Sequence, residues 1–234
     1  MKYTVKYFVM ICLLYLTAGC DDNNSMHQKY LDEGEIYYIG IVDSVKIFPG
    51  RERVRFSWQI NADPRITGTL ISWNENQGTA TIPIVRRHSG IMQIDTAINI
   101  PEGIYTFTLA NVDDEGNQSK GVDGTTVLVY GPKYIGNLQN RPVQSVVFHD
   151  GAMIIRWASI DNMQMLHTTV RYMDYTDAEH PSSKTLVIEN SETETEISNV
   201  RTGDVFSVAS AYQPEKGIDS VEALPIEYTV PPES

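Results

Sequence analysis

Cysteine is nearly missing from this 234-residue chain, which holds two, Cys12 and Cys20. Both lie in the first twenty residues, so the body of the protein has neither a disulfide nor a free thiol. Its stability must therefore come from packing alone. That count excludes zinc-finger, thioredoxin-like and cysteine-nucleophile chemistry. Basic charge is also scarce, with 18 Lys and Arg against 30 Asp and Glu. A net charge of −12 without a basic stripe argues against nucleic acid and against anionic membrane surfaces as partners. Histidine is thin and scattered: His27, His88, His149, His167 and His180 stand alone, no two at ligand spacing on one strand, so no metal is expected. The sequence has no Gly-rich phosphate loop, no Gly-x-Ser-x-Gly elbow and no His-Glu-x-x-His pair. These gaps point away from an enzyme and away from a cofactor. Long apolar runs are lacking after the N-terminus, which leaves no segment of membrane-spanning length there.

The N-terminus itself reads as an address. Lys2 and Lys6 precede the apolar run Tyr7 to Leu16, and Leu16-Thr17-Ala18-Gly19-Cys20 follows. The run is too short to span a bilayer and suits a secretory signal over residues 1–19. Small residues before Cys20 resemble a bacterial lipobox, with Thr17 where Leu is usual, and make Cys20 the expected lipidation site. Cleavage near Ala18 as an ordinary signal peptide is the alternative. Residues 20–36 are polar and aperiodic and read as a lipidated tether, whose stretched length is on the order of 50 Å. Asp21 and Asp22 directly after the cysteine resemble the signal for the outer face of the outer membrane. Retention on the periplasmic face is the other possibility. Loss of residues 1–19 takes away Lys2 and Lys6 and no acid, so −12 becomes −14.

What the chain has in abundance is two-residue alternation of apolar and polar side chains, in short runs broken by Gly, Asn, Asp and Pro. That pattern specifies an all-β protein. It also repeats, at a period of roughly one hundred residues. Tyr38-Ile39-Gly40 is matched by Tyr134-Ile135-Gly136, and Val54-Arg55-Phe56-Ser57-Trp58 by Met153-Ile154-Ile155-Arg156-Trp157. Leu70-Ile71-Ser72-Trp73 corresponds to Thr169-Val170-Arg171-Tyr172, and Tyr105-Thr106-Phe107-Thr108 to Phe206-Ser207-Val208-Ala209. The reading is a duplicated β-sandwich, with one module over 37–131 and a second over 132–231. In the first, strands are expected at 43–48, 53–60, 66–74, 79–85, 92–98, from Tyr105 onward and at 125–129. Val54, Phe56 and Trp58 then share the inward face.

Two stretches carry a resemblance. Pro64 to Trp73 is similar to the third strand of fibronectin type III domains, and Tyr105 to Asn111 with Gly116 to Ser119 to their sixth strand and turn, tyrosine corner included. More specifically, Tyr30, Gly34-Glu35, Tyr38, Gly40, Val42-Asp43-Ser44, Pro49-Gly50-Arg51, Arg53-Val54, Trp58, Pro64 and Trp73-Asn74 resemble a Bacteroidetes lipoprotein family, the domain of unknown function 4998. That resemblance implies no catalytic residues. It implies a setting beside outer-membrane glycan-uptake machinery, with a glycan and a TonB-dependent transporter complex as expected partners.

Candidate binding residues follow from sandwich topology, which gathers alternate loops at one end. In the first module these loops hold Arg86-Arg87-His88, a basic spot in an acidic protein, and Asp113 and Asp114 in an oxygen-rich turn. The spacing of that turn misses the calcium-loop pattern, so a solvated hairpin needing Gly116 at positive φ is the preferred reading. In the second module the corresponding loop carries Met163, Met165 and Leu166. Either these expose an apolar tip for a protein contact, or Met165 or Leu166 begins the next strand and is buried. Trp58, Trp73 and Trp157 are read as core. Tyr37, Tyr130, Tyr134, Tyr175 and Tyr212 are the exposed aromatic candidates for carbohydrate, although Tyr130 and Tyr134 flank Gly131-Pro132, where packing between modules is the plainer explanation. The functional expectation is a surface accessory lipoprotein that binds a glycan or protein partner. A structural spacer or adhesion module is the second reading and an unrecognised enzyme the third.

Overall fold

A computed structural model of the chain describes residues 38–233. Lipidation of Cys20, the tether and Tyr37 lie outside them. All the elements that follow belong to one compact unit that begins at Ile39. Two β-sandwiches make up this unit, and the alternation seen in the sequence shows why.

In the first, β1 (Val42–Pro49), β2 (Arg53–Ile60) and β5 (Met92–Asn99) form one antiparallel sheet in the order β1-β2-β5. The facing sheet runs β4-β3-β7-β8, from β3 (Gly68–Trp73), β4 (Gly78–Pro83), β7 (Phe107–Val112) and β8 (Val122–Asp123). A short pair, β6 (Gly103–Tyr105) with β9 (Val127–Val129), closes the far end. Strand β2 alternates as expected: Val54, Phe56, Trp58 and Ile60 are fully buried between the sheets, and Arg53 and Arg55 face solvent. They meet Ile71, Phe107 and Leu109 from the other sheet, with Phe56 and Phe107 edge to face at 4.9 Å between ring centroids. Trp73 packs against this core, and its ring lies over Gly78, where a Cβ would stand 2.3 Å from Cε2. Only glycine fits beneath it. The expected last strand shortens to β9, and β8, just before it, joins the facing sheet instead.

After Tyr130 a single helical turn, α1 (Pro132–Gly136), leads into the second sandwich. There β10 (Val143–His149), β11 (Ala152–Trp157) and β14 (Glu194–Ser198) form one sheet. The other is built from β12 (Met165–Asp174), β13 (Ser182–Ile188), β15 (Val205–Tyr212), β16 (Val221–Glu222) and β17 (Ile226–Thr229). The β10–β11 hairpin turns on Asp150-Gly151 with φ of 49° and 77°, a two-residue loop whose left-handed pair matches the strand twist.

The duplication holds in space with two corrections. Trp58 and Trp157 occupy equivalent inward positions on β2 and β11, and Ile71 and Val170 equivalent ones on β3 and β12. The later landmark is displaced by two residues. Ile71 pairs with Leu109 and Val170 with Val208, so Phe107, rather than Tyr105, corresponds to Phe206. A two-residue slip keeps each side chain on its own face, so alternation alone could not reveal it. Tyr134-Ile135-Gly136 is no counterpart of Tyr38-Ile39-Gly40 either, because it forms α1.

One buried polar side chain organises the second sandwich. Arg141, 1% exposed, donates from Nε to the Ala158 carbonyl at 3.0 Å, from Nη1 to Glu189 at 3.2 Å and from Nη2 to Glu192 at 2.7 Å. Its guanidinium also lies 5.5 Å from the Trp157 ring centroid.

Candidate functional site

The loop end of the first sandwich is organised by side chains that the sequence left free. Arg86 is not an open cation. Its Nη1 donates to the Gly90 carbonyl at 3.0 Å, and its Nη2 to the carbonyls of Asn61 at 2.9 Å and Asp63 at 2.7 Å. The fork thus ties the β4–β5 loop to the β2–β3 loop, a task that suits a planar group with several fixed donors. Asp63 is engaged too. It accepts from Arg65 in a bidentate pair and from the Gly40 N–H, and these donors hold its carboxyl well below the usual range. Gly40 in turn offers its carbonyl to Asn111 Nδ2 at 2.7 Å.

Arg87 and His88 are presented on this braced loop, both exposed. They border a depression of about 600 Å³ with Pro83, Ile84, Val85 and, from β5, Met92 to Asp95. Arg87 makes no hydrogen bond or ion pair among the described residues. Of the acidic candidates, Asp113 is a turn former: its carboxylate accepts from the N–H groups of Glu115 at 3.0 Å and Asn117 at 2.8 Å, and from Asn117 Nδ2 at 2.9 Å. The Asn117 amide is the main reason that its pKa is lowered. Gly116 has φ of +86°, as the solvated-turn reading requires. Asp114 is exposed at the tip.

In the second sandwich the two methionines part company. Met163 is 99% exposed, whereas Met165 is buried at the start of β12, in a small cluster with Tyr130, Tyr212, Val221 and Ala223. Sequence reasoning left their burial open; the strand boundary decides it against Met165 as a contact residue. The structure does not bring these methionines to the Arg87 loop, since the cluster holding Met165 also holds Tyr130, at the junction of the two sandwiches. Tyr130 and Tyr212, offered as exposed aromatics, are buried in that junction, and Tyr134 and Tyr175 are half-buried.

That junction is the feature that sequence reasoning missed. The Tyr130 hydroxyl donates to the Asp219 carbonyl at 2.7 Å and accepts from the Asp219 N–H at 3.0 Å. The Asp219 carboxylate accepts from Arg53 Nε at 2.9 Å, from Arg53 Nη2, and from the Arg51 N–H at 3.0 Å. Ile218 N–H donates to the Pro49 carbonyl at 2.9 Å. Glu102 accepts the Lys133 and Tyr134 N–H groups that open α1, at 2.8 and 2.6 Å. A cleft of about 400 Å³ beside it is lined by Ile47, Leu128, Tyr134, Gln164 and Glu215 among others. Only the Gly131-Pro132 joint was visible beforehand, because the Arg53–Asp219 pair spans 166 residues.

The lowered Asp219 pKa, caused chiefly by the Arg53 hydrogen bond, gives the junction a pH dependence. A folded pKa below the unfolded one means that the stabilisation is complete above the ordinary carboxylate value of about 3.9 and fades as pH falls through the lowered one. Asp219→Ala is expected to loosen the junction at neutral pH while both sandwiches stay folded. Faster amide exchange at Tyr130 and Ile218, with β2 and β11 unchanged, is the measurement. Equal protection at Tyr130 in both proteins would refute it.

The structure also joins His149, Asp150 and Glu233, exposed groups whose ligand atoms lie within 4.8 Å of one another. The two imidazole nitrogens face different carboxylates, Nε2 at 3.4 Å from Asp150 and Nδ1 at 3.9 Å from Glu233. Glu233 also accepts the Asp150 N–H at 2.8 Å, so the group is a hydrogen-bonded hairpin tip.

With this geometry described, the chain can be set beside known proteins. No curated protein matches it. Among solved structures it is similar to the FN1–FN3 domains of chicken CNTN1 (12% identity, 83% of this chain and 69% of that one, TM-score 0.33). It is also similar to a two-domain fibronectin type III segment of chicken tenascin (13%, 82% and 99%, 0.30). A third is the chicken interferon gamma receptor alpha chain (12%, 82% and 99%, 0.32). The sequence profile of DUF4998, described as a domain of unknown function, matches residues 20–221. The chain belongs to the DUF4998 family.

Proposed function

We propose that this protein is a non-catalytic accessory lipoprotein on the outer face of the outer membrane, anchored at Cys20, that binds a glycan or protein partner beside a glycan-uptake system. The observation that supports binding most is the braced β4–β5 loop, on which Arg86 is tied to three carbonyls and Arg87 stands exposed beside a depression; the junction supports it too. Two sandwiches held by Tyr130, Asp219, Arg53 and Glu102 keep their loops in a set relation, which a binding module needs and free linkers do not provide. The leader and acidic tether supply the address, and the family resemblance supplies the setting. A spacer or adhesion module is the second reading, favoured by the same junction, since a spacer requires it equally.

Pull-down of tagged protein from gently solubilised outer membranes, with mass identification of what is bound, separates the two. Co-purification of a TonB-dependent transporter is the expected result. Recovery of the protein alone moves the spacer role to the front. Cys20→Ala should shift the chain from the membrane to the soluble fraction, and unchanged membrane retention would remove the lipid anchor from the proposal.

A further inference from the structure

Sheet edges are where a β protein is open to another chain, and they are commonly blunted by lysine, proline, bulges or charge. In the described residues most edges here are so guarded. Strand β1 carries Lys46, Pro49 and a register shift; β4 ends on Pro83; β10 has a register shift; β14 carries Glu196. Strand β5 differs. Among the described residues it pairs with β2 alone, and its sequence Met-Gln-Ile-Asp-Thr-Ala-Ile-Asn has no lysine, proline or bulge. Its one acid, Asp95, is spent on a bidentate pair with Arg55 at 2.7–3.2 Å. Ile94 and Ile98 remain only partly buried against the core, as an uncovered edge leaves them.

The depression bordered by Arg87 and His88 lies at the start of this strand. Its surroundings combine an unpaired cation with exposed apolar groups, Val85 at 77% and Ile91 at 65% exposed. The nearby carboxylates cannot quench Arg87: Asp63 is taken by Arg65 and Asp95 by Arg55. Arg86 adds a second positive charge without an acidic partner and holds the loop in place through three carbonyls. In a chain of net charge −12, this is a local positive site on a braced loop, facing an open strand edge.

We propose that the free edge of β5 receives an extended acidic segment of a partner protein, paired as an added strand. Main-chain hydrogen bonds to β5 supply affinity. Alternate side chains supply selectivity, carboxylates toward Arg87 and His88 and apolar groups toward Val85 and Ile91. The assignment rests on the reading of the chain as a binding module, and names the chemistry of one partner.

The test uses the soluble Cys20→Ala chain and a fluorescein-labelled peptide of alternating glutamate and valine, read by anisotropy. Binding should weaken at high salt. It should fall about tenfold or more with Arg87→Glu, and stay unchanged with Lys46→Glu, the same charge change on the opposite edge of the sheet. Peptide should also slow amide exchange across residues 92–99. Three outcomes overturn the proposal: Arg87→Glu binding as well as the parent; no added protection in β5; or Arg87-dependent binding of oligogalacturonate or of a second copy of the chain in place of the peptide. Because this titration needs no membrane partner, its failure is distinguishable from failure of the pull-down.

Discussion

Replacing Arg141 by leucine is expected to destabilise the second sandwich by on the order of 3 kcal/mol, despite removing a charge from a buried site. The side chain is 1% exposed, and burial pulls its pKa down, so its presence has a desolvation cost. Against that stand three backbone carbonyls, Ala158, Glu189 and Glu192, that depend on its donors. Each buried acceptor left empty costs about 1–3 kcal/mol, and leucine can satisfy none. Loss of the donors therefore outweighs relief of the buried charge. Arg141→Lys should recover only part of the deficit, because one ammonium cannot reach three divergent carbonyls. Urea midpoints of the three proteins, with amide exchange in β11 and β14, provide the measurement. Leucine matching the parent would mean that the carbonyls find other partners and that Arg141 has no structural role.

Trp58→Ala is expected to cost the first sandwich about 3–5 kcal/mol, the range for emptying a large aromatic site in a packed core. Trp58 is fully buried among Val54, Phe56, Ile71 and Phe107. It also starts a chain of polar contacts: Nε1 donates to Thr69 Oγ1 at 3.2 Å, the Thr69 hydroxyl to Asn111 Oδ1 at 2.9 Å, and Asn111 Nδ2 to the Gly40 carbonyl. Truncation thus opens a cavity and removes the Nε1 donor from which the buried Thr69 hydroxyl accepts, leaving its bond to Asn111. Trp58→Phe keeps most of the apolar volume and should cost less. Trp157 offers an internal comparison, because its Nε1 bonds to Thr195 Oγ1 at 2.9 Å within its own sheet. Trp157→Ala should lower protection in β11 and β14 while β2 and β5 keep theirs. A deficit below about 1 kcal/mol for Trp58→Ala, measured by denaturant titration, would show that the core collapses around the gap.

The exposure of the candidate residues follows the sequence only in part, and for one reason. Arg87, His88, Asp114 and Met163 are exposed loop side chains, as their polar or turn-rich surroundings in the sequence imply. Arg86 and Met165, their sequence neighbours, looked the same and are not: one is consumed by carbonyls of a loop more than twenty residues away, and the other begins a strand. Tyr130 and Tyr212 have rings that suit exposed stacking as well as burial, and the junction took both. Asp219 carried no signal, being one acid among thirty Asp and Glu.

What the sequence determined by itself is what a period of two encodes, an all-β chain, the inward faces of β2 and β11 and Trp58 and Trp157 in the core, together with the duplicated plan that its longer repeat shows. It did so because side-chain direction in a strand depends only on near neighbours. Tertiary structure alone decided which residues meet. The junction of Arg53 with Asp219, the carbonyl cages of Arg86 and Arg141, the two-residue offset at Phe206 and the open edge of β5 all arise from pairings far apart along the chain. Such pairings leave no local pattern, since their energy depends on groups that only the folded chain brings within reach.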